Sequence, residues 1–231
     1  MDKKYISGGV IGLVGGLAIG FFGANFLNRS SENGLNAANS AAPMSQSAPM
    51  AGSMPSMPNS GQNQGAMVAE VQKVIERAKN EPDNYDAQIE AGEMYSKIQR
   101  FDEGLKYYEN AQKLKPEDVD ANTKLGNAYF DAQKYPEAAN YYAKVLEQDP
   151  KNVSVRTDYG LTFYLRQPSN IDAAIAEYKK SLAIDPKHEL TLQNLAVAYS
   201  DKKDKAGYDE TIAKLREANP NNPVLDKLQS P

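Results

Sequence analysis

The 231-residue chain contains no cysteine, no tryptophan and one histidine, and its 26 basic residues are outnumbered by 30 acidic ones. Without cysteine there is no disulfide framework, no thiolate metal site and no cysteine nucleophile, and His188 alone cannot build a zinc site. A formal charge of −4 argues against nucleic acid as a partner, because phosphate binding needs clustered Lys and Arg. The lack of cysteine fits reducing and oxidising compartments alike, so it gives no address. No catalytic constellation stands out either. His188 follows Pro186-Lys187 where a helix is expected to start, with no nucleophile pattern around it, and the carboxylates are scattered over helical faces. The glycines from Gly8 to Gly20 are followed by no Lys-Ser/Thr and preceded by no strand, which excludes a phosphate loop. The expectation is a protein that is not an enzyme and carries no cofactor.

What is present divides the chain into zones. Tyr5 to Leu27 carries no charge and holds Val10, Ile11, Leu13, Val14, Leu17, Phe21, Phe22 and Phe26. As a helix it would be roughly 34 Å long, enough to cross a hydrocarbon core of roughly 30 Å. Lys3 and Lys4 precede it and Arg29 follows, so residues 1–4 are expected in the cytoplasm, 5–27 in the membrane and the rest on the extracytoplasmic side. The rival is a cleaved signal peptide, with Ala18-Ile19-Gly20 as its processing pattern. Gly8, Gly12, Gly16 and Gly20 recur every fourth residue on one helical face, a small-residue row that permits close helix approach in lipid and hence a homodimer.

Residues 28–66 are rich in Asn, Ser, Ala, Pro, Gly and Met, with Arg29 and Glu32 as their charges and no aromatic residue. Such a segment cannot bury enough surface to offset its ordering entropy, and it reads as a disordered tether. Met50, Met54 and Met57 offer clustered thioethers suited to monovalent copper. The alternative function is therefore a secreted or periplasmic copper-handling protein released by signal cleavage.

From Met67 onward the chain turns charged, aromatic and amphipathic. Pro82, Pro116, Pro150, Pro186 and Pro220 stand 34, 34, 36 and 34 residues apart. Self-similarity at this period indicates a helix-turn-helix solenoid. Ala91-Gly92 then Tyr95, Leu125-Gly126 then Tyr129, Tyr159-Gly160 then Phe163, and Leu195-Ala196 then Tyr199 mark a first helix in each unit. Gly104, Ala138 and Ala174, each four residues before Tyr108, Tyr142 and Tyr178, mark the second. Two antiparallel helices approach closely only where a residue is small, and an aromatic at the next offset fills the space between them.

These residues resemble the tetratricopeptide repeat. The resemblance implies an all-α solenoid over 67–231, with repeats at about 85–118, 119–152, 153–188 and 189–222. Met67–Asn80 is expected to add a flanking helix and Pro223–Gln229 a short capping one. Three departures are visible. The tryptophan common early in the repeat is replaced by Gln88, Asn122, Arg156 and Leu192; the third repeat has two extra residues near Gln167-Pro168; and Tyr208 stands where a small residue is expected, unless Ala206-Gly207 take that role.

The resemblance also implies a concave surface lined by the first helices, which binds other proteins. Carried over residue by residue, the groove-facing set includes Ile89 and Glu93; Thr123, Asn127 and Phe130; Thr157, Leu161, Tyr164 and Leu165; and Leu190, Gln193 and Val197. Some relatives grip a partner's terminal carboxylate with Lys, Arg and Asn; the corresponding places hold Ile89, Glu93, Lys124, Ser154 and Asp158, which lack the cations. The lining runs from acidic to apolar and suits a helix or extended segment with aliphatic anchors. The expected protein is a membrane-anchored adaptor of the bacterial cell envelope.

Overall fold

The computed structural model describes residues 60–228, with side chains from residue 69 onward. The expected membrane segment, its glycine row, most of the tether and Met50, Met54 and Met57 lie outside the described residues. Within them the secondary structure is helical throughout: α1 (Ser60–Asn80), α2 (Tyr85–Lys97), α3 (Phe101–Leu114), α4 (Val119–Asp131), α5 (Tyr135–Gln148), α6 (Val153–Leu165), α7 (Ile171–Ile184), α8 (Glu189–Lys202) and α9 (Lys205–Ala218). Each helix packs on the next in sequence, giving four antiparallel pairs stacked in a row with α1 laid on α2.

The helices start where the sequence supplies a cap. Asn84, Asp118, Asn152 and His188 accept from the backbone N–H three residues on, at 3.1, 2.7, 3.0 and 3.3 Å, and so begin α2, α4, α6 and α8. Each satisfies a donor that the first helical turn leaves without an intrahelical partner. His188, the only histidine, is thus a cap held through Nδ1, which also meets Thr191 Oγ1 at 2.6 Å. The turns inside repeats 1, 2 and 4 pass through Gln99, Gln133 and Lys203 at φ near +60°. The extra residues of repeat 3 make a longer turn, closed by the Asn170 cap on Ala173.

The Asp118 cap carries a pH signature. The Ala121 N–H and the Tyr85 hydroxyl both donate to its carboxylate, and together they hold its pKa below the usual value against the opposing effect of burial. A depressed folded-state pKa gives stability that is present above the unfolded value, near 4, and lost as pH falls through the folded one. Asp118→Ala is expected to cost about 1 kcal/mol at neutral pH. Asp118→Asn should keep the cap while removing this part of the acid dependence, read as the pH profile of urea midpoints.

The core is built by the small/aromatic pairing. A Cβ placed on Gly92, Gly126 or Gly160 would stand 2.6, 2.8 and 2.7 Å from the rings of Tyr108, Tyr142 and Tyr178, closer than real Cβ atoms approach. In the fourth pair the roles are exchanged: Gly207 on the second helix faces the Tyr199 ring at 2.7 Å, and Tyr208 is buried. Gly207 takes the small-residue role, so the close approach survives with its partners swapped.

The missing tryptophans are replaced by polar side chains that reach back to the preceding turn. Gln88 Nε2 donates to the Ala78 carbonyl (2.7 Å), Asn122 Nδ2 to that of Pro116 (2.9 Å) and Arg156 Nη2 to that of Pro150 (2.8 Å). Each pairs a backbone acceptor left over where a helix ends. In repeat 4 the place is filled by Leu192, fully buried.

Two expectations at the ends need correcting. α1 begins at Ser60 rather than Met67, so residues 60–66, read as tether, are helical. The described part of the expected Pro223–Gln229 helix, residues 223–228, is not helical: residues 223–227 make a turn held by the Lys227 and Leu228 N–H groups on the Val224 carbonyl. Val224 is nevertheless buried, and Leu225 and Leu228 still pack on the last core cluster.

Candidate partner-binding face

The first helices of successive repeats lie side by side, and their contacts define one face. Lys124 of α4 donates to Glu93 of α2 at 2.7 Å. Thr157 of α6 meets Thr191 of α8 at 2.6 Å, and the Tyr164 hydroxyl of α6 donates to Asp201 of α8. These contacts join α2 to α4 and α6 to α8, while Phe130 of α4 and Val155 and Tyr159 of α6 share one core cluster, so the four first helices follow one another as a wall.

Of the side chains expected on that wall, Glu93, Thr123, Asn127, Phe130, Tyr164, Leu165 and Val197 are half-buried and accessible. Ile89, Thr157, Leu161, Leu190 and Gln193 are buried, so their expected groove-facing placement is corrected. The physical reason is the side-by-side contact itself. Ile89 joins a core cluster with Leu105, Tyr108 and Leu125. Thr157 is enclosed in a hydroxyl cluster where it also meets Ser181 at 2.9 Å and donates to the Val153 carbonyl at 2.8 Å.

The wall is acidic toward its N-terminal end, where Lys124 lies between Glu93 and, at 3.6 Å, Asp120. Burial pulls the Lys124 pKa down, but the two carboxylates outweigh it and the ammonium is held charged. Toward the other end Leu165 and Val197 give the face apolar character, with Tyr164 between them and Asp201. Burial first, then the Asp201 carboxylate, raise the Tyr164 pKa, so the phenol stays protonated and donating.

Beneath this face two equivalent tyrosines differ. The Tyr142 hydroxyl donates to Asn127 at 2.9 Å. Tyr178 occupies the same place one repeat on, but the residue equivalent to Asn127 is Leu161, and the fully buried Tyr178 hydroxyl has no partner. Burial pushes its pKa well above the ordinary value, with Tyr164 and Asp158 near enough to add to the effect. Tyr142→Phe is therefore expected to cost about 1 kcal/mol, whereas Tyr178→Phe, which removes an unpaired buried hydroxyl, should be neutral or stabilising by about 1 kcal/mol. Urea denaturation of both variants checks the contrast.

Sequence reasoning missed the pair at the rear of this wall. Arg156 Nη1 donates to Glu177 of α7 at 3.0 Å, with side chains only 14% and 11% exposed, and Lys180 adds a second contact to Glu177 at 2.6 Å. Arg156 in the tryptophan position was the available signal, because an arginine there must find a counter-charge. A shallow depression of about 430 Å³ lies elsewhere, at the inner turns of repeats 1 and 2, lined by residues including Arg100, Asp102, Glu103 and Asp131. Among the described residues no cluster of His, Asp or Glu is placed to hold a metal, and no helix is long and apolar enough to cross a membrane.

Comparison with known proteins agrees with this architecture. Residues 95–153 and 123–189 match the family model described as tetratricopeptide repeat. No curated protein matches the chain. Among solved structures it is similar to YrrB, described as a TPR protein with an unusual peptide-binding site, at 17% identity and a TM-score of 0.60 over 72% of this chain and 84% of that one. It is also similar to a 41-to-end segment of MamA from Desulfovibrio magneticus RS-1, at 17% identity and a TM-score of 0.62 over 70% and 90% of the two chains. The AMB-1 MamA gives 24% identity and a TM-score of 0.56 over 73% and 94%. At such identities the likeness is one of fold. The described helices stack as a solenoid of helix pairs with the fold of these structures, and residues 95–189 of it match the tetratricopeptide-repeat model.

Proposed function

We propose that the protein is a membrane-tethered adaptor of the cell envelope. Tyr5–Leu27 anchors it with the N-terminus in the cytoplasm, residues 28–59 form the tether, and the solenoid binds other proteins on the extracytoplasmic side. The reading is supported by the charge-free N-terminal segment with its preceding lysines. Above all it is supported by the continuous first-helix wall, whose half-exposed Phe130, Tyr164, Leu165 and Val197 give it anchoring area. The row Gly8, Gly12, Gly16 and Gly20 supplies a face for self-association of the anchors.

Two measurements test it. Protease added outside intact spheroplasts is expected to degrade the solenoid, and full protection would contradict the orientation. Leu165→Ser combined with Val197→Ser is expected to remove most partners recovered from detergent-solubilised membranes, with the fold intact. Retention of all partners would contradict the use of this face. Leu161 is unsuited to such a test, since its side chain is buried.

A further inference from the structure

We infer that α6 and α8 are clamped together at two points, so that the third and fourth repeats present their part of the first-helix wall as one rigid surface in the free protein. The inference goes beyond the proposed binding role and stands whether or not that face takes a partner.

The first point lies near the N-terminal ends of the two helices. Thr157 of α6 and Thr191 of α8 are fully buried, with their hydroxyls 2.6 Å apart. Each is fastened on its own side. The Thr157 and Ser181 hydroxyls donate to the Val153 carbonyl at 2.8 and 2.9 Å, and the Thr191 hydroxyl meets His188 Nδ1 at 2.6 Å. The second point lies near the C-terminal ends, where the Tyr164 hydroxyl donates to Asp201. At about 1.5 Å of rise per residue the two points stand roughly 10 Å apart along α6 and roughly 15 Å apart along α8. One contact between two helices leaves them free to pivot about it, whereas two contacts at opposite ends fix both spacing and angle. Hydrogen bonds suit this role because they are directional and apolar packing is not.

A comparison within the chain shows that stacking alone does not require these groups. One repeat earlier the places of Thr157, Thr191, Ser181, Tyr164 and Asp201 are taken by Thr123, Val155, Val145, Phe130 and Leu165. Val145 and Val155 are buried in one cluster with Phe130 packed against it, and neither link can be built from those side chains. The backbones agree with the contrast. α6 and α8 approach each other closely at more places than α2 and α4 or α4 and α6 do. A surface already fixed in the free protein spares a partner the cost of ordering it.

The chain has no cysteine, so Ser154→Cys and Lys202→Cys, both at exposed positions, allow a single pair of spin labels in the full chain in detergent micelles. Ser154 lies in the first turn of α6 and Lys202 ends α8, so their separation reports the angle between the helices as well as their spacing. Double electron–electron resonance is expected to give one narrow distance, which Thr191→Ser leaves unchanged because it keeps the hydroxyl. Thr191→Val combined with Tyr164→Phe removes both links with little change of shape, and is expected to broaden or displace that distance. Tyr164→Phe alone, on a half-buried side chain, carries the test through the same broadening if Thr191→Val disturbs folding. A broad distance in the otherwise unaltered protein, or an unchanged one after the links are removed, would overturn the clamp.

Discussion

Gly160→Ala is expected to destabilise the solenoid by about 1–2 kcal/mol, and Gly160→Leu by about 3 kcal/mol or more. In an exposed helix the same change to alanine would stabilise by about 1 kcal/mol. Here the added methyl group would lie 2.7 Å from Cε1 of Tyr178, and that ring is fully buried, so neither partner has room to move aside. The sign is separable in a double-mutant cycle. Tyr178→Ala alone should cost about 3–5 kcal/mol through the cavity it leaves. Once the ring is gone, Gly160→Ala should cease to be harmful and become stabilising by the propensity term, a coupling well beyond additivity. Urea midpoints of the four proteins measure it. Additive costs would mean that the glycine-tyrosine contact does not set the helix separation.

The second large effect lies at the rear of the first-helix wall. Glu177→Ala is expected to cost about 3 kcal/mol, because it leaves the Arg156 guanidinium mostly buried with the Pro150 carbonyl as its remaining acceptor. The contribution of Lys180 is small by comparison, since its side chain is 60% exposed. Arg156→Leu together with Glu177→Ala should recover most of the loss, as an apolar replacement of a buried ion pair commonly does. Leu192 already occupies that place in repeat 4, fully buried, which shows that the fold accepts leucine there. Thermal unfolding of the two single variants and the double variant checks the order. A double variant worse than Glu177→Ala alone would contradict it.

The solenoid is legible in the sequence because its signals repeat in register. Proline closes each second helix, a small residue meets an aromatic at a fixed offset, and Asn84, Asp118, Asn152 and His188 cap at the same place in each unit. What is not legible has particular causes. The start of α1 is hidden because Ser60–Ala66 has no apolar period, so composition alone reads it as tether. The first-helix wall is half legible. Which side of a first helix looks outward follows from its period, but the burial of Thr157 and Gln193 depends on how closely the neighbouring repeat approaches, which no single repeat encodes. The swap of Gly207 and Tyr199 is readable only when two helices are considered together. The Arg156–Glu177 pair stands 21 residues apart and needs the stacked geometry to be recognised.

The most direct measurement of the central claim, that the first-helix wall is the working surface, is site-specific photo-crosslinking in native membranes. A photoreactive phenylalanine analogue is placed in turn at Thr123 and Val197 on the wall and at Ala183 and Ala213 on the exposed side of the second helices. Discrete crosslinked partners are expected from Thr123 and Val197 and none from Ala183 and Ala213. Crosslinks confined to Ala183 and Ala213, or equal from all four positions, would contradict the account.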